Sequence, residues 1–281
     1  MGVSFVKYQG LGNDFVVVDE LLGNHEPRLS ESVRTWLCHR HVGVGADGVL
    51  TVLSPRPTAR AAVARMHITN PDGSVPQMCG NGLRCVALFL AQTGRINVDE
   101  DVAIDTDAGE KTVRVHPGLH EVTVDMGPAS FVAPTQFPRP LARAAVRGFP
   151  RATTVSMGNP HVVLESSSLP DVDAATRDGR GLELDASLFP ERTNVEWAVV
   201  QPDGSIDVVV WERGAGLTQA CGTGACAVVA ASARNGLIGF GTTRVRLPGG
   251  PLDITLRSLE EAVWMRGPVA RVFSGQTAEL G

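Results

Sequence analysis

An internal repeat restricts the fold of this sequence more than any other feature. Cys79 opens the stretch CGNGLRCVALFL, and Cys221 opens the stretch CGTGACAVVAAS 142 residues later in a chain of 281 residues. Two Gly-Asn dipeptides, ending at Asn13 and Asn159, repeat in the same order at an offset of 146 residues, and each leads into an apolar run. Two matches in the same order at nearly the same spacing indicate that the chain consists of two similar halves.

The remaining patterns predict a mixed α/β fold in two lobes. Strand-like alternation of apolar and polar residues occurs at 111–116, 121–126, 205–211 and 244–248. Helical patterns occur at 30–38 and after each CGxG stretch. From Gly127 onward, five prolines up to Pro150 predict a connector or edge structure rather than a helix.

Composition and charge argue against several classes of function. The net charge is −5 and the sequence pI is about 5.8, without a basic stripe, which argues against nucleic acid as a partner. The longest apolar run, at 86–91, is far shorter than the roughly 18 residues that cross a bilayer. The first residues lack a basic start followed by a long apolar stretch, so we expect no signal peptide and a cytoplasmic protein.

The five cysteines do not predict a disulfide framework or a metal site. An odd number of cysteines in a long chain without an export signal disfavours structural disulfides. Five residues separate Cys79 from Cys85 and four separate Cys221 from Cys226, which is beyond or at the upper limit of the two to four residues usual between zinc ligands. Cys38, His39 and His41 stand close together but lack a second cluster that would complete a site. We therefore expect no bound metal. Cys38 has no role that the sequence supports.

A Cys-Gly-x-Gly turn at the start of a helix suits the binding of an anion. The first N–H groups of a helix lack partners within the helix and carry partial positive charge, and glycine permits close approach of a ligand. A cysteine at this position has a stabilised thiolate. If the turn occurred once, a buried cysteine packed in a Gly-rich turn would be the simpler explanation. Because the turn occurs in both halves, a functional pair of cysteines is favoured.

Two such thiols on either side of one small substrate suit the inversion of a carbon that bears an acidic hydrogen. One thiolate removes the proton from one face, and the other thiol delivers a proton to the opposite face, without any cofactor. The helix N-termini would stabilise the charge that develops on the substrate carboxylate.

At these residues the sequence resembles the diaminopimelate epimerase family, which belongs to the two-cysteine, cofactor-independent amino-acid racemase superfamily. The resemblance covers essentially the whole chain. It rests on six motifs in order: FVKYQGLGNDFVVVD near the start, GVGADGV at 43–49, NPDGSVPQMCGNGLRC at 70–85, MGNPHVV at 157–163, RTNVEW at 192–197 and WERGAGLTQACGTGACA at 211–227.

The resemblance implies two pseudo-symmetric lobes, each a curved mixed sheet wrapped around a central helix. We expect the first lobe to comprise residues 1–120, completed by 267–281, and the second to comprise residues 121–266. It also implies a homodimer without a cofactor, which acts on a small amino-acid substrate. The charge and the short apolar runs described above argue against nucleic acid and membrane as partners.

The resemblance further implies a set of site residues. Cys79 and Cys221 would be the acid/base pair. Backbone N–H groups for the reacting carboxylate would come from Gly80, Asn81, Gly222 and Thr223. The reacting centre would be lined by Asn13 and Asn159. The distal amino-acid end of the substrate would be held by Asn70, Asn194, Glu212 and Arg213.

Other interpretations stay open for several of these residues. Asn13 and Asn159 would also suit turns, and Glu212 with Arg213 would also suit an exposed surface pair. His161 matches Phe15 of the other half, which is compatible either with core packing or with a polar role in the site. Cys85 and Cys226 are expected to be buried small hydrophobic residues.

Three departures from the family pattern bear on the substrate. Leu217 stands where the family usually has Glu, Val162 where Cys is frequent, and the segment Val75-Pro76-Gln77 replaces a common Glu-Ala-Glu. Pro76 and Gln77 lie close to Cys79 in sequence and would reshape the pocket over the reacting carbon.

The sequence therefore favours interconversion of LL- and meso-diaminopimelate, in lysine and peptidoglycan precursor synthesis. One alternative keeps the chemistry and changes the substrate to another amino acid, in which case the four distal residues would be unnecessary. A different alternative is a redox or binding protein that uses Cys79 and Cys221 as a switchable disulfide. Such a protein would need neither the asparagines nor the Glu/Arg pair.

Overall fold

The computed structural model of the protein describes residues 2–22, 25–76, 78–118 and 120–278. The chain divides into two compact units, Met1–Val124 with Gly267–Gly281 and Asp125–Arg266, which we name the first and second unit. None of the helices in the described ranges has the length and apolar character required to cross a membrane.

The elements are numbered in chain order. The helices are α1 (Glu31–Cys38), α2 (Gly80–Gln92), α3 (Val172–Glu183) and α4 (Gly222–Arg234). The strands are β1 (Ser4–Gly10), β2 (Asn13–Asp19), β3 (Gly48–Leu53), β4 (Ala62–Thr69), β5 (Val102–Thr106), β6 (Gly109–Val115), β7 (Glu121–Pro128), β8 (Ala144–Val146), β9 (Phe149–Ser156), β10 (Pro160–Glu165), β11 (Asn194–Val200), β12 (Ile206–Glu212), β13 (Gly216–Thr218), β14 (Gly241–Leu247), β15 (Gly250–Leu256), β16 (Ala262–Pro268) and β17 (Ala270–Gln276).

The first unit is a mixed sheet in the order β17-β1-β2-β3-β4-β5-β6-β7. The pairs β2–β3 and β4–β5 are parallel, and a helix, α1 or α2, connects the two strands of each pair. Helix α2 contacts β1, β2, β3, β4, β6 and β17, which come from both ends of this order. The sheet therefore curves around α2.

The second unit repeats this arrangement. Its sheet follows the order β8-β9-β10-β11-β12-β14-β15-β16, with β10–β11 and β12–β14 parallel, and β13 forms a short hairpin with β12. Helices α3 and α4 connect the parallel pairs, and α4 contacts strands from β9 to β15. The predicted α/β fold of two similar lobes, each with a mixed sheet around a central helix, is confirmed.

The composition of the two central helices explains their position. Every residue from Gly80 to Leu90 is buried in α2, and α4 is buried on all sides over most of its length. A helix that is apolar all round must lie inside a protein, because it has no polar face to turn to water. Cys85 and Cys226 are fully buried in these helices, as predicted.

Most of the predicted elements are present. The helix expected at 30–38 is α1, which Ser30 caps through a hydrogen bond from the Val33 N–H to its side chain. The four predicted strands correspond to β6, β7, β12 and β14. The proline-rich segment contains the short strand β8 and the start of β9 but no helix. Helix α3 was not predicted from the sequence, because its two glycines weaken the helical pattern.

The two glycines of α3 offer a matched test of how this helix packs. A methyl group at Gly179 would lie 2.7–2.8 Å from side-chain atoms of Trp211, whose indole N–H donates to Glu183 at 2.7 Å. A methyl group at Gly181 would meet nothing nearer than the Arg147 guanidinium at 3.8 Å. We expect Gly179→Ala to reduce the free energy of unfolding by about 1–3 kcal/mol through overpacking.

The control variant should behave in the opposite way. Gly181→Ala should raise the free energy of unfolding by up to about 1 kcal/mol, because alanine favours the helix over glycine. Urea unfolding followed by circular dichroism measures both variants. Equal effects of the two substitutions would contradict the proposed packing of Trp211 on α3.

Candidate active site

Cys79 is the N-cap residue of α2. Its backbone is extended (φ −141°, ψ 112°), and its Sγ accepts a hydrogen bond from the Gly82 N–H at 3.3 Å. Serine, threonine and aspartate usually fill this position, since their oxygen accepts from the first turn. A sulfur at the N-terminus of a helix is stabilised as a thiolate by the same N–H groups. Cys79 is half-buried.

Asn13 connects the start of α2 to a second motif of the sequence. Its Oδ1 accepts from the Asn81 Nδ2 at 3.2 Å, and its own Nδ2 donates to Asp47 Oδ2 at 2.8 Å. Asp47 belongs to the GVGADGV motif just before β3 and also accepts from the backbone N–H of Asp14 at 3.1 Å. The carboxylate of Asp47 thus fixes the orientation of the Asn13 amide.

Two basic side chains hold this cluster together. Lys7 Nζ lies 2.6 Å from Asp14 Oδ2, and Arg40 Nη2 lies 2.8 Å from Asp14 Oδ1 and 2.7 Å from Asp47 Oδ1. Burial by itself would raise the pKa of Asp14, but the hydrogen bonds from Arg40 and Lys7 outweigh it and lower that pKa to about 2. The carboxylate is therefore ionised in the folded protein at all but very acidic pH.

The lowered pKa of Asp14 predicts an acid-sensitive contribution to stability. The pKa is about 2 in the folded protein and 3.8 for an unperturbed Asp, so the contribution of about 2 kcal/mol is fully present above roughly pH 5. It is lost as the pH falls from about 4 to about 2. Asp14→Asn should lower the free energy of unfolding at pH 7 by about this amount and flatten its decline at acidic pH.

Urea unfolding at pH 7, 4 and 3 measures this effect. Asp101→Asn is the control, because the Asp101–Arg114 pair (2.8 Å) is exposed on the surface and should contribute little. An equal loss of stability in both variants at pH 7 would contradict the structural role of Asp14.

Asn70 lies in a turn of its own after β4. Its Nδ2 donates to Ser74 Oγ at 2.9 Å, its backbone N–H donates to the Ser74 carbonyl at 2.9 Å, and its carbonyl accepts from the Gly73 N–H at 3.0 Å. These contacts order the turn 70–74 that carries Asn70.

Cys221 caps α4 in the same way as Cys79 caps α2. Its backbone angles are φ −128° and ψ 112°, and its Sγ accepts from the Gly224 N–H at 3.4 Å. The Thr223 hydroxyl lies 3.4 Å from the same sulfur. Cys221 is only 5% exposed, and burial, followed by the nearby carboxyl groups of Glu212 and Glu196, raises the pKa of its thiol.

Asn159 occupies the position that corresponds to Asn13. Its Nδ2 donates to Thr223 Oγ1 at 3.3 Å, and its Oδ1 lies 3.0 Å from His161 Nε2. The other ring nitrogen of His161, Nδ1, lies 2.6 Å from Glu196 Oε1. His161 and Glu196 are both fully buried, so the structure gives His161 polar partners inside the unit rather than purely apolar packing.

Three of the four residues expected at the distal end of the substrate, Asn194, Glu212 and Arg213, lie around the end of β12. The buried Asn194 side chain donates from Nδ2 to the Pro160 carbonyl at 2.8 Å and accepts from the Arg213 backbone N–H at 2.9 Å. Arg213 is exposed, and its guanidinium donates to the Glu191 carbonyl at 2.9 Å. Glu212 is half-buried beside the Cys221 thiol, and burial raises the pKa of its carboxyl group.

The structure thus brings the predicted residues together in groups within each unit. The first unit joins Cys79, Asn81 and Asn13, whereas Asn70 stays in its own turn. The second unit joins Cys221, Thr223 and Asn159, with Glu212 beside the sulfur and Asn194 against Arg213. Gly80 and Gly222 are the first residues of α2 and α4.

The supporting residues that the sequence analysis missed include Asp47, Glu183 and Glu196, besides the ion-paired Lys7, Asp14 and Arg40. Asp47 belongs to the GVGADGV motif and directly precedes β3, whereas Glu196 belongs to the RTNVEW motif and lies within the buried part of β11. Glu183, at the end of α3, accepts from the Gly214 N–H at 2.9 Å and so supports the turn that carries Arg213. Within the described part of the chain, no His, Cys, Asp or Glu side chains cluster as metal ligands would.

Comparison with known proteins identifies the family. A family profile described as diaminopimelate epimerase matches residues 5–132 and 153–272. The diaminopimelate epimerase of Gloeothece citriformis is 40% identical over 288 residues, which cover 98% of this chain and 99% of the relative. That of a Synechococcus strain is 44% identical over 291 residues and 98% of both chains. The chain belongs to the diaminopimelate epimerase family.

Solved structures share the fold of this member of the diaminopimelate epimerase family at low sequence identity. A probable proline racemase from Agrobacterium radiobacter, with bound carbonate, superimposes with a TM-score of 0.71 at 16% identity, covering 98% of this chain and 93% of that chain. A hydroxyproline epimerase from Agrobacterium vitis, with bound trans-4-hydroxy-L-proline, gives 0.68 at 18% identity, with coverage of 98% and 92%.

The departures from the diaminopimelate epimerase pattern have different structural settings. Leu217 lies in β13 opposite Trp211, and both pack against the core of the second unit, which explains an apolar residue there. Val162 is fully buried in β10. Val75 is exposed and Pro76 is half-buried, while Gln77 lies outside the described residues.

Proposed function

We propose that this protein is an epimerase that interconverts LL-2,6-diaminopimelate and meso-2,6-diaminopimelate, a step of lysine biosynthesis. One observation carries the proposal. In a chain of the diaminopimelate epimerase family, each of two units with the same topology presents a cysteine as the N-cap of its buried central helix. A pair of thiols held in this manner supplies both the base and the acid that an inversion at carbon requires.

In the proposed mechanism, Cys79 and Cys221 act on opposite faces of one α-carbon. The thiolate of one cysteine takes the α-hydrogen as a proton, and the electron pair of the broken C–H bond moves into the carboxylate. The thiol of the other cysteine then gives its proton to the opposite face. The two sulfurs have now exchanged protonation states. After product release, the new thiol loses its proton to solvent and the new thiolate gains one, so the cycle closes without a cofactor.

The negative charge that develops during this step requires stabilisation. We propose that the backbone N–H groups of Gly80, Asn81, Gly222 and Thr223 bind the reacting carboxylate, since they belong to the first turns of α2 and α4. The first turn of a helix offers unpaired N–H groups and partial positive charge to an anion. Asn13 and Asn159 hold the side chains of residues 81 and 223 beside each cysteine.

The unreacting amino-acid end of diaminopimelate distinguishes this substrate from smaller amino acids. We propose that Asn70, Asn194, Glu212 and Arg213 bind this end. A guanidinium pairs with a carboxylate through two parallel hydrogen bonds, a carboxylate accepts from an ammonium group, and an amide serves either. Arg213 suits the first task because its side chain is exposed while Asn194 fixes its backbone.

We further propose that the protein is a cytoplasmic homodimer that acts in peptidoglycan precursor synthesis as well as lysine synthesis. We also propose that residues 1–120 with 267–281 and residues 121–266 form two lobes of one enzyme. Two free thiols that share a substrate are prone to oxidation, so the enzyme should need a reductant and should be indifferent to EDTA and to added pyridoxal phosphate.

Solvent deuterium uptake tests the proposal. The reduced protein is incubated with LL-diaminopimelate in D2O without a cofactor, and the α-proton signal is followed by NMR beside a panel of other L-amino acids. Loss of the signal together with formation of the meso isomer is expected for diaminopimelate alone. Deuterium uptake by another amino acid instead would identify that amino acid as the substrate. A lack of deuterium uptake by every compound would contradict the two-thiol mechanism.

A further inference from the structure

The two units differ at one pair of buried positions next to the central helix. In the first unit, Phe15 of β2 and Leu50 of β3 occupy these positions, and in the second unit His161 of β10 and Glu196 of β11 occupy them. The registers are equivalent, because Phe15 pairs with Gly48 in β2–β3 exactly 146 residues before His161 pairs with Asn194 in β10–β11. All four side chains are at most 2% exposed.

The second member of each pair lies against the first turn of the central helix. A methyl group at Gly82 would lie 3.0 Å from Leu50 Cδ2, and one at Gly224 would lie 2.8 Å from Glu196 Oε1. The same methyl group at Gly224 would lie 3.3 Å from the Cys221 sulfur. Glu196 therefore stands directly behind the turn that carries Cys221.

The fold itself does not require a polar pair at this place, since the first unit has the same topology with Phe and Leu. Burying an acid and an imidazole costs free energy that apolar side chains do not cost. Glu196 Oε2 moreover finds no hydrogen-bond partner among the described residues. A pair that is costly and unnecessary for the topology points to a function in the second unit.

The hydrogen bonds indicate what that function is. In the first unit, Asp47 accepts from the Nδ2 of Asn13, which leaves Oδ1 to accept from Asn81. In the second unit the Oδ1 of Asn159 faces His161, which leaves Nδ2 to donate to Thr223 Oγ1. The two amides thus present opposite ends to residues 81 and 223.

This reversal determines where the Thr223 proton points. Because Thr223 Oγ1 already accepts from Asn159, its own O–H is free to donate, and the Cys221 sulfur lies 3.4 Å away. A thiolate at Cys221 would then receive hydrogen bonds from the Thr223 hydroxyl and the Gly224 N–H. We propose that Glu196 and His161 are positioning residues for Cys221, which orient Asn159 so that the Thr223 hydroxyl donates to the sulfur.

The number of protons that His161 shares with Asn159 and Glu196 is consistent with this role. His161 Nε2 must carry a proton to donate to Asn159 Oδ1, and a second proton lies in the short contact between Nδ1 and Glu196 Oε1. Whichever of the two atoms holds that second proton, the pair has no net charge. A neutral pair avoids the repulsion that a Glu196 carboxylate would exert on a Cys221 thiolate, and burial, which raises the pKa of Glu196, acts in the same direction.

The proposal rests on the proposed function only in taking Cys221 to work as a thiolate, and it can be tested without any substrate. The full-length reduced protein is alkylated with iodoacetamide at pH 7.5, and the rate at each cysteine is measured by mass spectrometry of its peptide. Cys79 is the internal standard in every sample, and the buried Cys226 is the reference for an unactivated thiol.

Three variants separate the proposal from a general effect on structure. Thr223→Val removes the hydroxyl at nearly constant shape, and Thr223→Ser keeps it. The double variant His161→Phe/Glu196→Leu places the first unit's apolar pair in the second unit. We expect Thr223→Val and the double variant to lower the alkylation rate of Cys221 about tenfold, with that of Cys79 within twofold of wild type, because a hydrogen bond to a charged acceptor is lost. Thr223→Ser should retain the wild-type rate at Cys221.

Each other outcome has a definite meaning. A wild-type rate at Cys221 in a folded Thr223→Val variant would overturn the proposal, even if the double variant fails to fold by circular dichroism. A wild-type Cys221 that reacts no faster than Cys226 would overturn it as well, since no activated thiolate would then exist. Absence of deuterium exchange with diaminopimelate would contradict the proposed function but leave the alkylation result, and hence this proposal, intact.

Discussion

Replacing either Cys79 or Cys221 by serine is expected to lower kcat/KM for diaminopimelate by about a thousandfold or more. A serine hydroxyl is far less acidic than a thiol, so it can neither hold the negative charge nor return a proton at neutral pH, and general acid–base catalysis contributes roughly 10²–10⁴ in rate. Serine is itself a preferred N-cap, so α2 and α4 should keep their first turns and the protein should remain folded.

The formation of the opposite stereoisomer is the decisive measurement for these variants. A single remaining thiolate could remove a proton and return it to the same face, which would exchange deuterium without inversion. Cys38→Ala is the control, because Cys38 is buried at the end of α1 and should leave kcat/KM unchanged. Epimerisation within tenfold of the wild-type rate in either serine variant would contradict a mechanism with two thiols.

Arg213→Ala is expected to reduce kcat/KM for diaminopimelate by roughly a hundredfold. Removing one partner of a desolvated ion pair typically costs several kcal/mol, since the other charge is left unpaired. The substitution should spare the fold, because the side chain is exposed and its guanidinium donates to a backbone carbonyl, that of Glu191. Arg213→Lys should recover part of the loss, as lysine keeps the charge without the planar, two-pronged geometry.

Arg177→Ala is the matched control for this prediction. Arg177 is also an exposed arginine of the second unit, and it pairs with the neighbouring Asp178 on α3. Steady-state kinetics with diaminopimelate should give the wild-type kcat/KM for Arg177→Ala. If Arg213→Ala also gave the wild-type value, the unreacting end of the substrate would have to bind elsewhere, or the substrate would be a smaller amino acid.

The central helices could be predicted from the sequence because their signals are local. Each begins at a cysteine that caps it, and each continues as an apolar run without proline. Helix α3 lacks such a signal, since Gly179 and Gly181 interrupt it. It is helical because Asp171 caps it and because it packs on Trp211, and this packing partner is 32 residues away in sequence.

The sequence predicted which motifs carry the candidate site but not the contacts between their side chains. The repeat aligned His161 with Phe15, yet it could not decide between a buried packing residue and a polar one. That decision depends on Glu196, which neighbours His161 only through the pairing of β10 with β11. In the same way, Asp47 gains its role from a hydrogen bond across 34 residues to Asn13. Contacts of this kind depend on the register of a sheet, which the residue pattern does not specify.

The first unit is assembled from two separate stretches of the chain, and this has a consequence for biosynthesis. Strand β17 pairs with β1, with Ser4 opposite Gln276, so the ends of the described chain lie side by side. During translation, residues 267–278 emerge only after the entire second unit, which is continuous in sequence, has left the ribosome. The second unit can therefore fold while β1 still lacks its second partner, β17. A circular permutant would join these adjacent ends with a short linker and open the chain within the second unit. The first unit would then be continuous in sequence, and the second unit would be divided instead.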